Sequence, residues 1–379
     1  MSSKGIGELA RSRSAEYVRS SRKRKGIILD EFVAATAVAR KTAIVVLRKP
    51  PPLKAKPRGK PEKRYGADVS AALEMLWAME GYICSKRLVP ALPMLLELVE
   101  AEGEWGISEG VKAKLLKLSV STCDRLLHPY RAAFRQKGLC MTRPGSMLKA
   151  QIPIRTWSDW SETEPGYCEM DTVHHCDNNT AGEYVHTLSL TDVLLGWTEL
   201  QALRNRSETS VQCGVDSIGS RMPYAVKGLD SDGGSEFINE IMLRYCQNKG
   251  IVFTRSRPYK KNDQCRIEQK NRSVVRDNVG YDRLEGEEAT KTLNAFYRVL
   301  RLRVNFLQPC MMLQSKERVG SKIIRHYDKA KTPCQRALDH PCVPEERKAA
   351  LREQLAAIKP MAISKEILRL REELRRHAR

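Results

Sequence analysis

A mixed α/β domain behind helical segments is the fold class that this sequence predicts, and three observations predict it. From Tyr167 onward, short runs of β-branched and aromatic residues come first in close succession and then alternate with helical stretches. Ahead of that point apolar residues recur at helical spacing, as in Leu73, Leu76 and Trp77. Two of the later strands also carry acids: Asp171 lies inside one, and Asp230-Ser-Asp232 closes another. A charge in such a place is costly unless it is paired or bound to metal.

Composition narrows the partners. The 379 residues suffice for two or three domains with cores of their own. Formal net charge is +21 and the isoelectric point about 9.6, which means a polyanionic partner or a basic tail. Nucleic acid is the leading candidate and an anionic membrane surface the rival. No run approaches the ~20 apolar residues of a spanning helix, and Met-Ser-Ser-Lys-Gly lacks a hydrophobic signal core. The 11 cysteines are odd in number and contain no Cys-x-x-Cys pair, which fits a reducing cytosol better than a disulfide framework. Cys168, His174, His175 and Cys176 cluster but match no structural zinc spacing. A cytoplasmic location is expected. No phosphate loop of the Gly-x-x-x-x-Gly-Lys-Ser/Thr type occurs, so ATP use is not indicated.

Taken in order, residues 1–66 hold 18 Lys+Arg against 5 Asp+Glu. Within 1–49 a helix from Ile27 to Thr36, a short turn and a second helix from Arg40 predict a basic helix-turn-helix. Leu29, Phe32 and Val33 would face Ala43, Val46 and Leu47, and Arg40 and Lys41 would meet DNA. Residues 50–66 form a Pro/Lys-rich linker, because its prolines forbid a helix. Residues 67–138 read as a second helical unit, helix-turn-helix-like, with Ser121 as a cap and Arg125 on the outer face; a plain helical bundle is the alternative. A linker covers 139–159. The α/β core covers 160–312. Its strands are expected at Tyr167–His174, Glu183–Asp192, Gly196–Leu203, Tyr224–Ser231 and Ile251–Arg255. Helices are expected from Ser207 to about Ser220, from near Ser235 after the Gly-Gly turn, over Asn239–Lys249 and over Ile267–Val279. A small basic β segment (313–340) and a charged helical tail (341–379) follow.

The acids have company. They sit in Glu-Met-Asp171-Thr-Val, in Ser-Asp232-Gly-Gly-Ser-Glu-Phe, and in Lys260-Lys-Asn-Asp-Gln-Cys-Arg-Ile-Glu268-Gln-Lys-Asn, where Asn262 or Asp263 would open a helix. Between Asp232 and Glu268 lie 35 residues. Two strand-end aspartates and a helical glutamate at this interval resemble the D,D(35)E triad of transposases with a retroviral-integrase-like core, in particular those of bacterial insertion sequences. The likeness spans roughly Trp160 to Pro333. Gly233 departs from it, standing where the family usually has Asn. Three strands followed by alternating helix and strand likewise resemble the ribonuclease-H-like fold.

The resemblance implies a ribonuclease-H-like catalytic core in which the first and fourth strands are neighbours. It implies Asp171, Asp232 and Glu268 as catalytic residues and as ligands of two Mg²⁺ ions, with Mn²⁺ able to substitute. Asp171 would bridge the ions, and Asp232 and Glu268 would each hold one. On a strand Asp230 shares a face with Asp232, so geometry alone leaves it as an alternative. Lys260, Lys261, Lys270, Arg272 and Arg276 are candidate DNA contacts around Glu268, with Arg272 and Arg276 on its helix face by four-residue steps. The implied function is a DNA transposase: it binds an element's terminal repeats, cuts their 3′ ends and joins them to target DNA as a homo-oligomer. The alternatives are a catalytically silent DNA-binding protein and a ribonuclease-H-like nuclease that cuts without joining.

Overall fold

The computed structural model describes residues 1–51, 65–131, 163–257 and 263–378. The chain divides into two compact units, Met1–Arg64 and Tyr65–Arg379.

In the first unit three helices follow one another: α1 (Ser3–Arg19), α2 (Arg22–Thr36) and α3 (Arg40–Arg48). The sequence reading did not anticipate α1 and began the second helix at Ile27. Capping explains the difference. Ser2 accepts from the Gly5 N–H and Ser21 from the Arg24 N–H, which starts each helix upstream of its apolar residues. Ala10 and Tyr17 of α1 then join Ile28, Leu29, Phe32, Ala43 and Leu47 in one small core. Ala37, at φ 57°, turns the chain between α2 and α3. Arg40 pairs with Asp30, and both Arg40 and Lys41 are exposed.

The second unit opens with α4 (Ala67–Met79), α5 (Ser85–Glu102), α6 (Glu109–Leu116) and α7 (Val120–Arg131). Their shared core includes Leu73, Leu76, Trp77, Leu88, Leu95 and Leu127. The cap of α7 is Ser119 rather than Ser121, since Ser119 Oγ accepts from the Thr122 N–H at 3.2 Å. The helix therefore starts at Val120, and Ser121 falls inside it.

Five strands build the sheet: β1 (Tyr167–His174), β2 (His186–Asp192), β3 (Thr198–Leu203), β4 (Gly228–Ser231) and β5 (Val252–Arg255). Their order is β3-β2-β1-β4-β5. The first three form an antiparallel meander, while β4 lies parallel to β1 and β5 parallel to β4. The first and fourth strands are thus neighbours, as the resemblance implied. Two helices join the parallel strands, α8 (Glu208–Gly219) before β4 and α9 (Glu240–Lys249) before β5. No helix starts at Ser235. Asn239 accepts from the Met242 N–H and donates to the Ser235 and Glu236 carbonyls, so the chain turns first and α9 begins at Glu240.

After β5 come α10 (Cys265–Lys270), a π-helical stretch (Asn271–Arg276) and the single turn α11 (Asp277–Val279), where sequence spacing predicted one continuous helix. The helix α12 (Gly286–Leu302) buries Leu293, Phe296 and Leu300 against the sheet and continues into a second π-helical stretch, Arg303–Leu307. An exposed hairpin, β6 (Leu313–Val319) and β7 (Lys322–Tyr327), leads to α13 (Pro333–Asp339), α14 (Glu345–Ala356) and α15 (Pro360–Arg376). The last helix buries Ile363, Ile367, Leu370 and Leu374, packs against α12, α4 and α5, and has its first N–H groups taken by the Glu102 carboxylate. The core is a mixed α/β sheet with many helices. Among the described residues no helix is long and apolar enough to cross a membrane.

The helix α13 escaped the sequence reading although its start carries a pattern for it. Thr332 and Gln335 exchange the two hydrogen bonds of a capping box, with Pro333 at the first helical position. Thr332→Ala is expected to cost about 1 kcal/mol, seen as a lower urea midpoint at unchanged slope.

Candidate active site

The site grows out of the β1/β4 pairing. Glu169 lies opposite Asp230, and Met170 opposite Ser231. One further step sets Asp171 level with Asp232, just past the end of β4. Alternate residues of a strand share a face, so four carboxylates stand on one face in two rows. Neighbouring strands run ~4.8 Å apart.

The inner row is buried, with Glu169 0% and Asp230 1% exposed. Glu169 Oε2 accepts from the Ile267 N–H at 2.8 Å, and Oε1 meets Arg266 Nη1 at 3.1 Å. Asp230 Oδ1 accepts from Thr254 Oγ1 at 2.6 Å, and Oδ2 from Gln264 Nε2 at 3.2 Å. Burial pushes the Glu169 carboxyl up to about 7 while Arg266 pulls it the other way. Asp230 is enclosed among protein donors, whereas Asp232 is half-buried just past the end of β4.

The outer row holds two of the three candidates, Asp171 and Asp232, and the third, Glu268, stands on α10. Asp171 is half-buried on β1, its Oδ1 accepting from the Thr172 N–H at 2.7 Å and its Oδ2 from Asn271 Nδ2 at 2.6 Å. Burial pushes its carboxyl well above the carboxylate range, and the negative charges of Asp232, Glu236 and Glu268 push the same way. Asp232 Oδ1 accepts from the Gly234 N–H at 2.9 Å, which closes the turn after β4. A Cβ on Gly234 would stand 2.9 Å from that oxygen and 2.8 Å from Glu236 Oε2, so a side chain there would push these two carboxylates aside. Glu268 is exposed on the first turn of α10.

Two participants were not singled out from the sequence. Glu236 is held by Thr172 Oγ1 at 3.3 Å and lies 3.8 Å from Arg206. Asn271 donates to Asp171 and accepts from Ser189 Oγ at 2.6 Å. The signal for Asn271 was its place three residues after Glu268, one helical turn on.

The cationic candidates disperse. Arg272 is exposed beyond Glu268. Arg276 is turned inward: it donates to the His174 carbonyl at 2.7 Å and the Gly280 carbonyl at 3.3 Å, and lies 4.8 Å from the Tyr281 ring centre. Four-residue steps fail here because the π-helical stretch changes the turn. Lys270 is half-buried, and desolvation lowers its ammonium to about 8. Arg125 is exposed on α7, and Lys260 and Lys261 lie outside the described residues. The N-cap position of α10 falls on Gln264, and Asp263 pairs with Arg257 at 2.7 Å.

Among the described residues no group of three or more His, Cys, Asp or Glu side chains is arranged as a ready metal site. The donors at the opening are nonetheless all carboxylate oxygens, the chemistry Mg²⁺ takes. Ionising Asp171 would place a desolvated charge among like charges, where among the described residues the neutral Thr172 N–H and Asn271 amide donate to it.

A mixed α/β core with carboxylates gathered at the end of its central parallel strands defines the class. No family model matches the chain. It is 39% identical over 331 residues to the uncharacterized protein y4rM of Sinorhizobium fredii (strain NBRC 101917 / NGR234), across 87% of this chain and 94% of that one, and it belongs to the same family as that protein. Among solved structures it is similar to the catalytic core domain of BIV integrase, at 20% identity over 45% of this chain and 91% of that chain, with a TM-score of 0.30. It is also similar to a chain of the simian T-cell lymphotropic virus intasome in complex with PP2A regulatory subunit B56 gamma, at 14% identity over 52% and 64% of the two chains, with a TM-score of 0.32.

Proposed function

We propose that this chain is a metal-dependent DNA transposase that cuts and joins phosphodiesters with Asp171, Asp232 and Glu268. The observation that carries the reading is the placement of these acids. Asp171 and Asp232 come level at the ends of adjacent parallel strands, and Glu268 stands on α10, where the residue following that helix, Asn271, donates to Asp171. Bound at these carboxylates, Mg²⁺ supplies activation of the attacking oxygen and stabilisation of the departing one. Asn271 holds one Asp171 oxygen and so sets the direction of the other. The Gly234 N–H does the same for Asp232. The basic helices of 1–49 and the exposed Arg125 and Arg272 are the surfaces through which DNA would be held, and assembly on paired ends would require a homo-oligomer. The likeness of the three motifs to insertion-sequence transposases makes the terminal repeats of an element the expected substrate.

The test is cleavage and joining of a labelled duplex that carries the DNA bordering the coding sequence, with Mg²⁺, wild type beside Glu268→Gln. Wild type is expected to cut and join, Glu268→Gln to bind equally and do neither, and chelation to silence wild type until Mg²⁺ or Mn²⁺ is restored. Equal binding by both proteins with no cutting by either would replace the transposase reading with that of a silent DNA-binding protein.

A further inference from the structure

We infer that Glu169 and Asp230 are positioning residues: buried carboxylates that take hold of the first turn of α10 and fix Glu268 against the strands bearing Asp171 and Asp232. The inference rests on the proposed role of those three acids. It begins from an anomaly. A carboxylate that is 0% or 1% exposed is costly unless each oxygen has a donor. Here each of the four oxygens has one, and three of the four donors belong to residues 264, 266 and 267.

The helix explains the arrangement from its own side. The first N–H groups of a helix lack internal partners, and Gln264 at the N-cap of α10 makes no side-chain capping bond. The N–H of Ile267 is the one that a capping side chain would normally take, and Glu169 takes it from across the sheet at 2.8 Å. A carboxylate in that position also meets the favourable end of the helix dipole. Asp230 fastens the residue before the helix, because Gln264 Nε2 reaches both its side chain at 3.2 Å and its carbonyl at 3.1 Å. Glu268 is the next residue after Ile267. Three residues further, Asn271 is tied to Asp171. Glu268 therefore lies between two attachments of its helix to β1, and its backbone position follows from them.

A misplacement of about 1 Å costs on the order of 10²-fold in rate, and a lost supporting bond weakens metal binding about 10–100-fold. Glu169→Ala in the full chain is expected to lower the single-turnover cleavage rate about 10²-fold at unchanged duplex affinity. It should weaken Mn²⁺ binding, read by electron spin resonance without DNA, at least tenfold. Hydrogen exchange should quicken at residues 267–271 and stay unchanged in α12. Glu169→Gln keeps an oxygen for the Ile267 N–H and should restore most of the rate, Mn²⁺ binding and protection. Gln264→Ala, which leaves both carboxylates in place, serves as the milder variant should Glu169→Ala not fold, with the same three readouts moving by a smaller factor. The inference is overturned if Glu169→Ala, or Gln264→Ala in its place, keeps full rate and full protection. It is overturned equally if Ala and Gln at 169 lose rate alike, which would mark a role in stability alone. Failure of the transposase reading is separately visible, because Glu268→Gln would then cut like wild type while exchange at residues 267–271 still reports on the two carboxylates.

Discussion

Asp171→Asn is expected to reduce cleavage by at least about 10³-fold and, in the absence of metal, to raise the thermal midpoint of the protein. Both effects come from one charge. Ionising the Asp171 carboxyl costs desolvation and repulsion from the like charges of Asp232, Glu236 and Glu268. Asparagine removes that repulsion and keeps an oxygen for the Thr172 N–H. Its amide can meet the Asn271 side chain once that side chain turns over. Addition of Mg²⁺ should then reverse the order of the two melts. Binding stabilises wild type by mass action, about 2.7 kcal/mol at a hundredfold excess over the dissociation constant, whereas the variant has lost a ligand. Paired thermal melts with and without Mg²⁺ check this. Melts that are indifferent to Mg²⁺ in both proteins would contradict a metal site at Asp171.

The second large effect lies far from the chemistry. Glu80 closes α4 with 0% exposure, and among the described residues neither carboxylate oxygen has a hydrogen-bond partner. Burial pushes its carboxyl up to about 8, against the pull of Arg303 and Arg87. The folded state therefore holds a proton that the unfolded chain releases near its ordinary value of 4.5. Native protein binds more protons than unfolded protein between those values, so stability falls as pH rises through that window. From pH 5 to pH 8 the loss from this one group is roughly 3–4 kcal/mol. Glu80→Gln removes the titration. It is expected to be clearly more stable than wild type at pH 8 and nearly equal to it below pH 4.5, as read from urea midpoints across that range. Parallel pH profiles for the two proteins would show that Glu80 is ionised in the fold.

Much of the core was legible because its signals are local. The strand at Tyr167–His174 came out with its bounds intact, and the family resemblance implied β1 beside β4. The acids were singled out by their spacing and flanking residues. What stayed hidden depends on partners remote in sequence. Glu169 reads as one more acid in Glu-Met-Asp until Ile267, 98 positions on, is brought to it. Arg276 reads as a surface cation until the π-helical stretch turns it toward the His174 carbonyl. The helix α1 was missed because Arg and Ser dominate it, while the residues that bury it, Ile28, Phe32 and Leu47, come from later helices.

The segment from Ile267 to Arg276 is fastened to β1 at three points: Ile267 to Glu169, Asn271 to Asp171, and Arg276 to His174. Between the first two, four helical residues advance roughly 6 Å and two strand residues roughly 6.6 Å. The two rulers agree there to within a fraction of a bond length. Over the next interval the strand gains ground, and the long arm of Arg276 spans the difference. The height of Glu268 above the sheet is thus set by counting residues along two elements of different pitch. One residue added to or removed from either ruler would shift Glu268 by a full step along it.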